Sequence, residues 1–141
     1  GIIYKHDSSG SVVTNFPIWV DHQGLRDGFS KLAVDSDDNF IAVGYVTVDA
    51  AEEYYNGLIQ KYNSVGELSW EAMYNGIGLL NDTFYDVAVD SDDHIIVVGR
   101  TNRGVDNSTG ADEDWLLVKY APDGTVVWEQ SWDDGTKRDG G

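Results

Sequence analysis

The chain has no cysteine, so disulfides and thiolate metal sites are excluded. Histidine is scarce too. His6, His22 and His94 fall at turns or in loops, and no metal-ligand spacing links them. Basic residues are few: 9 Lys and Arg stand against 25 Asp and Glu, a net charge of −16. A field of that sign repels phosphate, so neither nucleic acid nor an anionic membrane surface is an expected partner. It favours solubility and divalent cations. No window approaches the ~20 apolar residues of a membrane span, so membrane insertion is not expected. No basic-then-apolar leader opens the chain, and Gly1 falls inside a strand-like stretch, as if an upstream piece had been removed. There is no G-x-S-x-G elbow, no phosphate-binding glycine loop and no H-E-x-x-H. Carboxylates are too numerous for spacing to nominate a catalytic pair, and no residue is assigned a catalytic role. Helical periodicity is missing as well: Gln60 to Tyr62 would suit a helix, but Gly57 and Gly66 bracket them closely.

What is present is a repeat. Phe29 to Gly44, FSKLAVDSDDNFIAVG, returns as Phe84 to Gly99, FYDVAVDSDDHIIVVG, 55 residues on. A second pair of stretches recurs at 58: Lys61 and Lys119, Gly66 and Gly124, Trp70 and Trp128. The three extra residues fall in the longer middle loop of the second unit, where insertion is easily accommodated. Lys5 and Gly10 precede Lys61 and Gly66 by 56, so residues 1–16 match the second hairpin of a unit whose first hairpin is absent.

Each full unit reads as four short strands. Lys31 to Val34 and Phe40 to Val46 flank the turn Asp35 to Asn39. Leu58 to Tyr62 and Glu67 to Tyr74 flank Asn63 to Gly66. In the second unit Tyr85 to Val89 and Ile95 to Thr101 flank Asp90 to His94. Trp115 to Tyr120 and Thr125 to Trp132 flank Ala121-Pro122-Asp123-Gly124, a strong turn signal. In the opening piece, Ile2 to Tyr4 and Val12-Val13 flank a turn. Continuous apolar runs, Phe40 to Val43 and Ile95 to Val98, suit strands covered on both faces. Ala33 and Ala88 suit a crowded innermost strand, and Trp70, Tyr74, Trp128 and Trp132 supply contact area between units.

Units of four antiparallel strands and ~40–60 residues are the pattern of a propeller blade. The expected fold is therefore all-β: β-propeller blades of four antiparallel strands, about two and a half in this chain. The expected parts are an outer hairpin of an incomplete blade at 1–16, a linker loop at 17–28 and a first full blade at 29–76. A linker at 77–82, a second full blade at 83–133, and a tail or start of another blade at 134–141 complete the chain. Because two and a half blades cannot close a ring, the expected partners are other copies of the chain or further blades of a parent chain.

The unit FYDVAVDSDDHIIVVGRT…DWLLVKYAPDGTVVWEQSW resembles the bacterial β-propeller repeats of the SBBP and delta-60 type. The matching residues are Ala88, Val89, Asp90, Ile96, Val98, Gly99, Lys119, Tyr120, Gly124 and Trp128. His94 departs from the Asn that Asn39 keeps, and Thr14 departs from the Trp found at Trp70 and Trp128. The resemblance implies a non-enzymatic structural or interaction module in a large surface or secreted bacterial protein, hence an extracellular or cell-surface location. A carbohydrate-binding propeller is the alternative, and an enzyme on the same scaffold the third reading.

Candidate sites follow from residue type. Asp35, Asp37 and Asn39 have the D-x-D-x-N spacing that can turn alternate oxygens onto calcium, with Asp90 and Asp92 in the second copy. Against this, Phe40 and Val46 stand where an EF-hand loop needs glycine and an acidic ligand, which favours a plain hairpin turn. The loop around Asp106, Asp112, Glu113 and Asp114 is a weaker case of the same kind. Longer loops bearing aromatic and amide groups would suit a glycan: Tyr54, Tyr55 and Asn56, and Asn102, Arg103, Asp106 and Asn107. Asn81 and Asn107 open formal glycosylation sequons.

Overall fold

The structure is a computed structural model that describes residues 1–21, 26–48, 54–76, 81–102 and 113–132. Among these residues there is no helix, and the chain forms ten strands. They are β1 (Ile2–Ile3), β2 (Ile18–Trp19), β3 (Asp27–Val34), β4 (Phe40–Thr47) and β5 (Tyr55–Tyr62). β6 (Leu68–Tyr74), β7 (Thr83–Val89), β8 (Ile95–Asn102), β9 (Glu113–Tyr120) and β10 (Val126–Trp132) follow. They make three antiparallel sheets: β1-β2, β3-β4-β5-β6 and β7-β8-β9-β10. Each four-stranded sheet is a meander in chain order, as the repeat predicts. The strands run further into the loop end than the apolar pattern suggests, because polar residues such as Thr47, Asn56, Thr101 and Asn102 continue the ladder while buried.

The opening piece departs from its expected form. The bridge His6↔Val12 has the register of Tyr62↔Leu68 and Tyr120↔Val126, so the turn is that of an outer hairpin. Beyond it the chain slips. By the repeat Ile3 should face Phe16, yet its partner is Ile18. Residues 17–28, expected as a loop, thus hold β2 and the first two residues of β3. The slip has a visible cause in packing. The Trp70 ring lies over the turn at Gly124, and the Phe16 ring lies in the same way over Gly66. Thr14 cannot fill that place, and two extra residues bring Phe16 into it.

One turn design serves all five hairpins. The first residue's N–H donates to the carbonyl four residues on, and the fourth residue's N–H donates back to the first carbonyl: Asp7, Asp35, Asn63, Asp90 and Ala121 open these turns. Where the opener is Asp or Asn, its Oδ1 also accepts the N–H groups two and four residues on, as at Asp35 from Asp37 and Asn39. This is the local bonding that suits Asx residues to turns. The fourth residue has positive φ: Gly10, Gly66 and Gly124 in the outer hairpins, Asp38 (62°) and Asp93 (59°) in the inner ones. Glycine takes that conformation without strain, and aspartate is among the few other residues that tolerate it.

The sheets stack in the order two-stranded, first four-stranded, second four-stranded. Ile3 and Val20 pack with Phe40, Ala42, Val46, Leu58 and Tyr62 on one face of the first sheet. Its other face, Ile41, Val43 and Ile59, packs on Phe84, Ile95, Val97, Leu116, Val118 and Tyr120 of the second. Covered on both sides, β4 and β5 are buried almost throughout. The second sheet is covered on one side only, and β8 accordingly alternates between buried and half-buried positions.

Candidate functional site

The contact between the four-stranded sheets recurs residue by residue, and it is the feature that most distinguishes the molecule. Three polar contacts join the sheets. The Trp70 indole N–H donates to Pro122 O at 3.0 Å. The Ser36 N–H and hydroxyl donate to Asp93 Oδ1 and Oδ2 at 2.9 and 2.6 Å. The Tyr74 hydroxyl donates to Glu129 Oε1 at 2.7 Å. Lys61 Nζ also reaches Pro122 O, at 3.4 Å. One layer earlier, Lys5 Nζ makes the equivalent bond to Ser64 O at 2.8 Å. Each unit thus uses its lysine to reach the outer turn of the next.

On the second sheet the counterparts of these residues face outward. Trp128, Lys119 and Ser91 match Trp70, Lys61 and Ser36, and among the described residues no further sheet lies beyond them. Ile96, Val98 and Leu117 match the fully buried Ile41, Val43 and Ile59 but are only half-buried. Trp115, Trp128 and Trp132 lie exposed on the same sheet. One position differs in kind. Gly57 leaves room for the Phe84 ring, whereas its counterpart is Trp115, over whose ring the Arg100 guanidinium sits at 5.2 Å.

The expected calcium residues are drawn into the turns. Asp35 is buried, and its Oδ2 pairs with Lys61 Nζ at 2.7 Å and accepts from Asn39 Nδ2 at 3.0 Å. Burial pushes the Asp35 carboxyl up, but the Lys61, Asn39 and backbone bonds outweigh it and hold it below its ordinary value. Asp90 repeats the pair with Lys119 at 2.8 Å. The Lys119 bond, with the backbone bonds from His94 and Asp92, lowers its carboxyl to about 2. Ligand atoms of Asp90, Asp92 and His94 lie within 4.8 Å of one another. A cation there would have to displace the Lys119 ammonium. Asp37 is exposed and only its N–H enters the turn network, as donor to Asp35.

At the loop end, Tyr55, Asn81 and Asn102 come together around a residue that motif reading misses, Asp82. Tyr55 N–H donates to Asn81 Oδ1 at 3.0 Å, and Asp82 N–H donates to Tyr55 O at 2.7 Å. The Asp82 carboxylate accepts from Gly76 N–H at 2.8 Å and Asn102 N–H at 3.3 Å. Asp82 is 1% exposed, and burial raises its carboxyl above the ordinary value despite these bonds. The signal for it was in the repeat, since Asp27 precedes Asp82 by the same 55 residues. Burial, then the Glu129 bond, also raises the Tyr74 hydroxyl. Asn56 is buried in β5, Tyr54 and Tyr55 are half-buried, and the Tyr55 ring meets Tyr45 edge-on at 5.1 Å. Asn81 is exposed. Arg103, Asp106, Asn107, Asp112 and His22 lie outside the described residues.

No family model and no curated protein matches the chain.

Proposed function

We propose that the chain is a β-propeller segment of the bacterial repeat type and acts as a structural stacking module. Its units bind one another face to face, as copies of the chain or within a larger surface or secreted protein, and it carries no catalysis of its own. One observation bears most of this reading. Ile41, Val43, Ile59, Lys61 and Trp70 are engaged by a neighbouring sheet, and the same set on the second sheet, Ile96, Val98, Leu117, Lys119 and Trp128, has no neighbour among the described residues.

The Trp115 position narrows what covers that set. A full unit brings a phenylalanine ring to the place that Trp115 occupies. The two-stranded sheet β1-β2 has no counterpart of Phe84, because it has no inner hairpin among the described residues. A second copy stacking head to tail through β1-β2 therefore fits the Trp115 face better than a copy of the second sheet does. Contacts of this kind are heterologous and propagate or close according to the rotation between copies. Sedimentation of the chain over a concentration series tests the reading, with Leu117→Asp as the variant that should remain monomeric.

A further inference from the structure

We infer that the first sheet and β1 form a seat for an inner β-hairpin supplied by a further repeat unit, with Lys5 recognising the aspartate that opens its turn. The inference rests on the stacking reading above and names the partner for the opposite end of the stack.

Three observations define the seat. On the second sheet Phe84, Val87 and Val89 of β7 are covered by the first sheet. Their counterparts on β3 are Phe29, Leu32 and Val34, and the latter two are 50% and 59% exposed. What is missing above them is the pair of strands equivalent to β3 and β4. A groove of about 390 Å³ lies there, lined by Ile3, Tyr4, Phe16, Leu32, Val34 and Phe40 among others. Beside it runs the free edge of β1. In the first sheet β5 pairs with β4 on one edge and β6 on the other, but β1 pairs with β2 alone among the described residues. An unpaired edge over an apolar groove is the geometry of strand addition.

The third observation fixes the chemistry of the occupant. Lys61 and Lys119 each pair with the opening aspartate of the inner turn in their own sheet, Asp35 and Asp90. Lys5 stands at the same position and also lines the groove. It makes the inter-unit bond to Ser64 O, but among the described residues it has no carboxylate partner. An incoming hairpin of the form apolar strand, Asp-opened five-residue turn, apolar strand would supply that carboxylate and cover Leu32 and Val34. It would also pair with Ile2, Ile3 and Lys5 through the backbone. The segment 27–47 of this chain is a hairpin of that form.

The test is fluorescence anisotropy of a labelled peptide of residues 27–47, titrated with the full chain and, in parallel, with the full chain carrying Leu117→Asp. Binding should saturate and be equal for both. It should weaken about tenfold with Lys5→Met in the chain. Asp35→Asn in the peptide should weaken it to the same degree. Asn63 shows that asparagine holds this turn, so that change removes the charge alone. Leu32→Asp should abolish binding. No binding to the wild-type chain would overturn the seat. So would binding indifferent to both Lys5→Met and the peptide's Asp35→Asn, or binding lost only in Leu117→Asp. Stacking seen by sedimentation without peptide binding defeats this inference alone, and peptide binding without stacking defeats only the stacking reading.

Discussion

The Trp70 indole reaches across two sheets to the Pro122 carbonyl at 3.0 Å, and its ring lies over Gly124 of the same turn. The match for this pair one layer earlier is Phe16 over Gly66, which keeps the packing and lacks the hydrogen bond. Trp70→Phe should therefore lose about 1 kcal/mol of stability. Trp128→Phe, at the open face, should change it by less than about 0.5 kcal/mol in the monomer. Urea unfolding of the two variants measures both, and equal losses would contradict the assignment of Trp70 as the connector.

Lys61 and Asp35 are both buried, and each relies on the other for its charge. Lys61→Met leaves the Asp35 carboxylate without its counter-ion and should cost about 3 kcal/mol. Lys119→Met acts on a more exposed pair and should cost less. Chemical denaturation should show that order, and the reverse order would show that burial does not set the strength of these pairs.

Acid should destabilise the fold through the turn aspartates. Asp35 and Asp90 have folded values below the ordinary 3.8, about 2 for Asp90. Their contribution is fully present above 3.8 and is lost as pH falls through the folded values. Asp82 acts in the opposite sense. Its folded value is raised, so the folded state favours its protonated form and its contribution declines as pH rises above 3.8. Carboxyl-carbon NMR titration should place Asp82 above 3.8 and Asp90 below it. The opposite order would contradict the burial and bonding assigned to them.

The turns should hold without metal. Oδ1 of Asp35 accepts two backbone N–H groups, and Oδ2 is taken by Lys61 and Asn39. The melting temperature should be the same in millimolar calcium and in excess chelator. A rise with calcium would mean that the Asp90, Asp92 and His94 cluster binds it in spite of Lys119.

Much of the architecture was legible because the repeat superimposes unlike residues. Matching Phe29–Gly44 with Phe84–Gly99 located two inner hairpins, and the recurring Lys, Gly and Trp located the outer ones. Gly44 and Gly99 recur for a physical reason: a Cβ at either would collide with the carbonyl of Gly28 or Thr83 across the ladder. The pairing of Ile3 with Ile18 was not legible, since it depends on Phe16 taking the place of a tryptophan two residues away from the repeat position. Nor was Asp82, because a buried carboxylate held by backbone N–H groups has no side-chain motif. The dense aspartates of Asp35 to Asp38 suggested a cation, while the ammonium that Asp35 binds lies 26 residues further on and only the fold brings it near.

Sedimentation velocity on the full chain, from about 1 to about 100 μM at near-physiological salt, tests the stacking claim most directly. Salt matters because copies of charge −16 repel one another when unscreened. The weight-average mass should rise above the 15.6 kDa of one chain as concentration increases, and Leu117→Asp should hold it at that value. A wild-type chain that stays at 15.6 kDa across the whole range would contradict the account.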